Sequence, residues 1–241
     1  SKVALLTKVK VYDYDNLTNN KKKGDMVSAV VTVFPGAFVE SYLSVFKEAG
    51  VEVLSLEIEA QAIARAVTKE SDPSTYMVVD FGHRRSGLAV VSRNVVVYTS
   101  TLDVGGDNIT RKIKQILKVT DRDVNKIKNE IGFTLGENRE LYEAVGSTIF
   151  ALKDEINKHY NYWGARVEEG KEDPIKRIIL CGGNSNIAGL RDHLAEVMKV
   201  PVVKANVWSN LFSFDDYIPP VSFRESASFS TAIGLALGST K

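Results

Sequence analysis

The sequence has little cysteine, little histidine and almost no net charge. Its single cysteine, Cys181, excludes an internal disulfide bond and suits a reducing compartment. Its three histidines, His83, His159 and His193, lie too far apart in the sequence to suggest a zinc site. The formal net charge of +1 gives no argument for a nucleic acid or an anionic membrane as partner. No apolar run approaches the length of a membrane-spanning helix.

The sequence has neither an initial methionine nor a signal peptide. Its start at Ser1 predicts a processed or trimmed product. The 241 residues are enough for one large domain or two smaller ones. The linker Ser71-Asp72-Pro73-Ser74 predicts a boundary between a smaller subdomain at 1–70 and a larger part at 75–241. Within the larger part, we assign 119–172 to a helical subdomain.

Hydrophobic periodicity predicts a mixture of strands and helices, typical of the α/β class. In the first 70 residues it predicts strands at 3–11, 27–34 and 51–58, and helices at 38–46 and 60–67, with Gly50 expected to end the first helix. Beyond the linker it predicts an antiparallel meander at 76–102, with a turn at Arg93-Asn94. Thr120 with Asp123 resembles a capping box that starts a short helix. The periodicity then predicts a long helix at 136–163, a strand at 178–181 and further helices at 187–199 and 227–237. The inward face of the long helix is predicted to hold Val145, Ile149, Leu152, Ile156, Tyr160 and Trp163.

Three glycine-containing turns interrupt these elements: the first glycine turn at 80–87, the second at 105–110 and the third at 182–185. A glycine removes the Cβ atom that keeps a ligand away from the backbone. Unpaired amides at a helix start attract anions. The turns are therefore candidates for a nucleotide site. The alternative is a set of plain tight turns, with Ser185 or Asn186 as a helix N-cap.

Individual side chains near these turns allow the same two interpretations. Asp80, at the end of a strand, is suited to hold the water shell of Mg²⁺, and the Ser86 hydroxyl group to meet phosphate oxygens. Alternatively, Asp80 caps a turn. Glu155 and Lys158, one helical turn apart, either hydrogen-bond a ribose or form an ordinary surface pair.

The order of these motifs resembles the second half of an actin-like ATPase fold. The closing segment narrows the resemblance: Asn206-Val207-Trp208-Ser209-Asn210, Pro219-Pro220 and the helix at 228–237 are similar to the end of PilM, the actin-like family of type IV pilus assembly. PilM is a relative of the division protein FtsA. The likeness runs over 27–238, and Glu40-Ser41-Tyr42 and Glu57-Ile58-Glu59-Ala60 resemble the subdomain that precedes the second half.

The resemblance implies a partial actin-like, ribonuclease H-like fold, in which a mixed sheet carries helices on both faces beside a smaller α+β subdomain. It implies ATP and Mg²⁺ as cofactors of the complete protein, with Asp80 as the metal residue. The implied nucleotide-binding residues are Asp80, Gly82, His83, Arg84, Arg85, Ser86, Gly105, Gly106, Asp107, Glu155, Lys158, Gly182, Gly183, Asn184 and Ser185.

Two departures from the family change what is expected of this chain. The family's first phosphate loop has no match between Ser1 and Gly36, so we expect the chain to begin inside the inserted subdomain. His83-Arg84-Arg85 also replace the small residues usual in the second phosphate loop. These arginines either pair with phosphate or close the site. We therefore expect weak or absent ATP binding by this chain, and no catalytic residue or turnover.

The function implied is that of a nucleotide-binding scaffold rather than an enzyme. Such a scaffold docks a short segment of an inner-membrane pilus-assembly protein and links it to other cytoplasmic pilus machinery. It is expected in the cytoplasm, peripheral to the inner membrane, without a nucleic acid partner. The alternatives are an active ATPase or sugar kinase of the actin superfamily, and an FtsA-like division filament protein.

Overall fold

The computed structural model describes residues 32–133 and 139–238. The strand predicted at 3–11, and most of the one predicted at 27–34, lie outside the described residues. The chain divides into two compact units, 1–59 and 60–241. This boundary precedes the predicted linker, because Ile63 and Ala64 pack into the core of the second unit. The predicted helical subdomain at 119–172 belongs to the second unit as well.

The described part of the first unit contains one helix, α1, at Gly36–Glu48. Gly50 follows it with φ +69°, a conformation that suits glycine and confirms the predicted end of the helix. The strand predicted at 51–58 is wrong, since these residues have no regular secondary structure. A β-branched run becomes a strand only when a neighbouring strand supplies its hydrogen bonds, and the local pattern on which the prediction rests does not specify that neighbour.

The second unit is built on a five-stranded sheet in the order β3-β2-β1-β4-β5. Its strands are β1 Thr75–Phe81, β2 Ser86–Ser92, β3 Val95–Leu102, β4 Ile175–Cys181 and β5 Val202–Lys204. The first three form the predicted antiparallel meander, and β4 joins the same sheet as a parallel neighbour of β1. Arg93 and Asn94 both have positive φ, as a two-residue hairpin turn requires.

Helices cover both faces of this sheet, which confirms the α/β fold class. They are α2 Glu59–Val67, α3 Asp107–Leu117, α4 Asp121–Glu130, α5 Arg139–Glu168, α6 Leu190–Met198, α7 Phe223–Ser226 and α8 Ser230–Gly238. The Thr120 side chain accepts a hydrogen bond from the Asp123 amide and so caps α4, as its sequence predicts. Among the described helices, none is long and apolar enough to cross a membrane.

Alternation along β1 divides the core into two layers. Met77, Val79 and Phe81 face α3, α5 and α6, whereas Tyr76 and Val78 face the layer that contains α2. The predicted inward face of α5 is confirmed. Its residues are buried except for Tyr160, which is partly buried, and the fully buried ones are Val145, Ile149, Leu152 and Ile156. Each such side chain contributes about 1.5–3 kcal/mol to stability.

The last helix is held close against α2. A Cβ atom at Gly234 would collide with the backbone of Ala62, so glycine is what allows the two helices to approach. The Arg65 guanidinium donates to the Gly234 carbonyl oxygen at 2.5 Å. Asn210 then caps α2 by donating to the carbonyl oxygens of Arg65 and Thr68 at 2.9 and 2.7 Å. These contacts join the closing segment to the start of the second unit.

Candidate functional site

The first and third glycine turns lie at the same edge of the sheet. The first follows β1 and the third follows β4, and the two strands are parallel neighbours. Asp80 is paired with Cys181 across them and with Gly87 on the other side. The second glycine turn follows β3 and begins α3, and it reaches the same edge. The three turns that the sequence singles out are therefore brought together.

Hydrogen bonds and close packing join the second turn to the first. The amides of Gly106 and Asp107 donate to the carbonyl oxygens of Gly82 and His83, at 3.1 and 2.8 Å. A Cβ atom on Gly105 would collide with the backbone of His83 and Arg84. These two amides belong to the start of α3, so the first turn uses donors that would otherwise be open to an anion.

The third turn leaves one glycine open and packs the other tightly. Gly182 has φ +83°, and a Cβ atom there would collide with the Asp80 carboxylate. Gly183 is exposed, and the nearest atom to a Cβ placed on it is the Ser228 Oγ at 3.4 Å. The carboxylate of Asp80 therefore lies against Gly182, beside an exposed stretch of bare backbone.

Two buried polar side chains connect all three turns. The Lys128 ammonium of α4 donates to the Gly106 carbonyl oxygen at 3.0 Å and to the Asn184 Oδ1 at 3.1 Å. The Asn184 Nδ2 donates in turn to the Gly82 carbonyl oxygen at 2.8 Å. Lys128 is 5% exposed and Asn184 is 9% exposed. Burial lowers the pKa of Lys128 to about 8, although the nearby Asp107 carboxylate acts in the opposite direction.

The tip of the first turn faces solvent. The side chains of His83, Arg84 and Arg85 are exposed. Within residues 32–133 and 139–238, the amides of these three residues donate no backbone hydrogen bond. Two arginines and a run of unpaired amides can bind an anion such as a phosphate group. Ser86 is different, because its hydroxyl group is buried and donates to the Val104 carbonyl oxygen at 2.6 Å.

Two further predicted residues are occupied by contacts within the protein. The Ser185 hydroxyl is buried and donates to the Gly182 carbonyl oxygen at 2.7 Å. The Asp107 carboxylate accepts from the Asn108 amide at 2.8 Å. The alternative role of Ser185 or Asn186 as a helix N-cap is wrong, since residues 183–186 form a 3₁₀ turn and Gly189 precedes α6.

The structure does not bring Glu155 and Lys158 to the third glycine turn. They form an ion pair of 3.7 Å on the surface of α5. The next residue, His159, is hydrogen-bonded through Nδ1 to the Tyr98 hydroxyl of β3, at 2.7 Å. In the sheet, Tyr98 lies three strands and three residues away from Cys181, the residue before the third turn. These steps correspond to about 14 Å across the sheet and about 10 Å along it. Because His159 is held at Tyr98, this part of α5 lies away from the third turn.

Lys128 is a residue of the site that the glycine motifs do not reveal. The sequence contains a pattern that could have identified it: Lys128 stands four residues after the apolar Val124, so the two share one face of α4. In the structure Val124 is fully buried, so this face is the inward one. A lysine at a buried position of an otherwise polar helix indicates a specific role for the charge.

The residues present fit a bound nucleotide with its metal. Gly183 leaves backbone exposed, the tip of the first turn supplies donors for phosphate, and Asp80 supplies carboxylate oxygen, the ligand type that Mg²⁺ prefers. The metal would neutralise phosphate charge there.

Comparison with known proteins identifies the family. Residues 6–240 match the family of type IV pilus assembly protein PilM. The cell shape-determining protein Mbl of Bacillus cereus is 24% identical over 188 residues, which are 66% of this chain and 56% of Mbl. Mbl of Bacillus subtilis is 24% identical over 161 residues, 55% of this chain and 48% of Mbl. The chain thus spans about half the length of these curated relatives.

Solved structures show the same fold. The PilM-PilN type IV pilus biogenesis complex matches with a TM-score of 0.71 and 19% identity, covering 92% of this chain and 63% of that one. MreB5 of Spiroplasma citri bound to ADP matches with a TM-score of 0.60 and 15% identity, covering 86% of this chain and 66% of that one. The ethanolamine utilization protein EutJ of Carboxydothermus hydrogenoformans matches with a TM-score of 0.56 and 19% identity, covering 84% of this chain and 61% of that one. The actin-like fold is confirmed, and the chain belongs to the PilM family of type IV pilus assembly proteins.

Proposed function

We propose that the complete protein is a nucleotide-binding scaffold of type IV pilus assembly that docks a membrane-anchored partner, and that this chain carries part of the nucleotide site, binds the nucleotide weakly and does not turn over ATP. The observation that carries the nucleotide part is the convergence of the three glycine turns, held together by Lys128 and Asn184. The similarity to MreB5, whose structure is bound to ADP, supports the same ligand class.

Substitution of Gly183 tests the nucleotide site. Gly183 is exposed, and its φ is not in the left-handed region, so Gly183→Val leaves the fold intact while placing a side chain over the exposed backbone. We expect the affinity for ADP with Mg²⁺, measured by NMR titration to millimolar concentration because binding by this chain is weak, to fall at least about tenfold. Gly164→Ala is the control, because a Cβ there meets no atom within 4 Å. Unchanged affinity in a folded Gly183→Val protein would place the site elsewhere.

The absence of turnover is part of the proposal. The described tip of the first turn offers arginines and amides, which bind phosphate, but its Ser86 hydroxyl is buried and bonded to Val104. That hydroxyl group is therefore not available to position an attacking water molecule. Incubation with ATP and Mg²⁺ should release no phosphate above background. Steady release that Asp80→Ala abolishes would show that the chain is an ATPase.

The partner part of the proposal concerns the first unit. Helix α1 exposes Phe38, Tyr42 and Val45, at 51%, 47% and 64%. These side chains form an apolar surface of the kind that binds a short peptide segment. The match to a PilM-PilN complex supports a PilN-type protein as the partner, which would place the chain in the cytoplasm beside the inner membrane.

Charge placed on α1 tests the docking surface. Val45→Glu should weaken binding of the cognate PilN-type protein at least about tenfold, since the new carboxylate loses water in the complex. Ile218→Glu is the matched control, because Ile218 is an exposed aliphatic residue of the second unit. Equal affinity of the two variants would refute docking on α1, whatever the result for ADP.

A further inference from the structure

The buried lysine of α4 suggests a role that the ligand-binding function does not by itself assign. We propose that Lys128 is a positioning residue of the candidate nucleotide site: its ammonium group holds the second and third glycine turns together and, through Asn184, fixes the first. The inference rests on the proposed nucleotide-binding function, since a positioning role requires a site to be positioned.

The contacts of Lys128 fall on both its side chain and its main chain. The side chain donates to the carbonyl oxygen of Gly106 and to the Oδ1 of Asn184. The Lys128 carbonyl oxygen accepts from the Ala188 amide at 3.0 Å, just beyond the third turn. The main chain of Lys128 is thus fixed to Ala188, and its ammonium group reaches Asn184 of the third turn and Gly106 of the second.

Gly106 is the point at which the second turn is held. Its carbonyl oxygen accepts from Lys128, and its amide donates to the Gly82 carbonyl oxygen of the first turn. A Cβ atom on Gly106 would collide with the Asn184 side chain, so the second and third turns are also in van der Waals contact. Loss of the Lys128 donors should therefore release the contact between the first and second turns as well.

Burial of the charge is unfavourable for the fold, which argues that Lys128 is kept for the site. An apolar residue would continue the inward face formed by Val124 and the partly buried Ile127. Burial lowers the pKa of Lys128, so the ammonium form is penalised there. The Asp107 carboxylate offsets part of this penalty. A residue needed only for packing would not carry a charge to this place.

Amide hydrogen exchange tests the proposal without any nucleotide. In Lys128→Met, the amides of Gly106 and Asp107 should exchange about tenfold faster or more, because their contact with the first turn is loosened. The amides of β4 should keep their protection, and the melting temperature should not fall. Lys126→Met is the matched control, since Lys126 is exposed on the same helix, and it should change none of these rates.

Asn184→Ala provides a second test that does not depend on the folding of Lys128→Met. It removes an acceptor of Lys128 and the donor to Gly82, and should accelerate exchange at Gly106 and Asp107 in the same way. Unchanged exchange at these amides in a folded variant would overturn the proposal, as would a uniform loss of protection across the sheet. The ADP affinity of the folded Lys128→Met protein should fall about tenfold relative to Lys126→Met, whereas a lysine with a merely structural role would leave it unchanged and so overturn the proposal. Binding of ADP to the unsubstituted chain tests the proposed function separately, so failure of one is distinguishable from failure of the other.

Discussion

The sheet edge where the three glycine turns meet and the outer surface of α5 each present a lysine beside polar partners. At the sheet edge, Lys128 is buried and its contacts join three separate segments of the chain. On α5, Lys158 is 71% exposed at its side chain and pairs with Glu155 on its own helix. The first arrangement depends on the tertiary fold, and the second depends on local helix geometry. A functional role is therefore better supported for the first.

Glycine substitutions should show the largest difference between the two regions. Gly105→Ala inserts a Cβ into the backbone of His83 and Arg84, and we expect it to lower the free energy of unfolding by about 3 kcal/mol. Gly164→Ala, within α5, meets no atom and should raise it by about 0.5–1 kcal/mol. Urea denaturation measures both, and equal effects would contradict the close packing of the first and second turns.

The pH dependence of stability should separate the two lysines. Lys128 has a pKa of about 8 when folded, against the ordinary lysine value of 10.5. Between these values the unfolded chain binds more protons, so this residue makes stability rise with pH, by about 2 kcal/mol. Lys128→Met should remove that rise, measured by urea denaturation from pH 7 to 10. Lys158→Met should retain the rise of stability with pH. The same loss in both variants would contradict the attribution of this rise to Lys128.

The two arginines of the first turn should affect affinity more than stability. Replacing Arg84 and Arg85 together with serine should weaken ADP binding about tenfold at low salt, because charge-assisted contacts to phosphate are lost. Arg139→Ser is the control, since Arg139 is an exposed arginine of α5. Tighter binding by the double variant would show instead that the arginines close the site.

The ion pair on α5 should give the smallest effect. Glu155→Gln with Lys158→Met is expected to change the free energy of unfolding by less than about 0.5 kcal/mol, because the pair is solvated. The affinity for ADP, measured by calorimetry, should not change. A loss of affinity in this double variant would return these residues to the nucleotide site.

Sequence patterns predict most of the fold because they report local geometry. The meander at β1 to β3, the stripe of α5 and the cap at Thr120 are each set by residues close together in the chain. The strand predicted at 51–58 is wrong, since a local β-branched pattern does not specify the neighbouring strand with which it would have to pair. The predicted boundary at 71–74 lies after the observed one, because α2 packs on the sheet.

The candidate site was predictable only in part. Glycines at strand ends identify the three turns, since parallel neighbouring strands bring their ends together. The spacing of Glu155 and Lys158 indicates a shared helix face but not the element that this face meets. Lys128 could be found from its inward position on α4, whereas its contacts with Gly106 and Asn184 depend on the assembled fold.

Mapping of bound nucleotide by NMR tests the central claim most directly. ADP with Mg²⁺, titrated to millimolar concentration into the labelled chain, detects weak as well as tight binding. The account predicts shifts of the amide resonances of His83, Arg84, Arg85 and Gly183, and none at Glu155 or Lys158. Shifts centred on α5, or no saturable shift at the three glycine turns, would contradict the nucleotide site proposed for this chain.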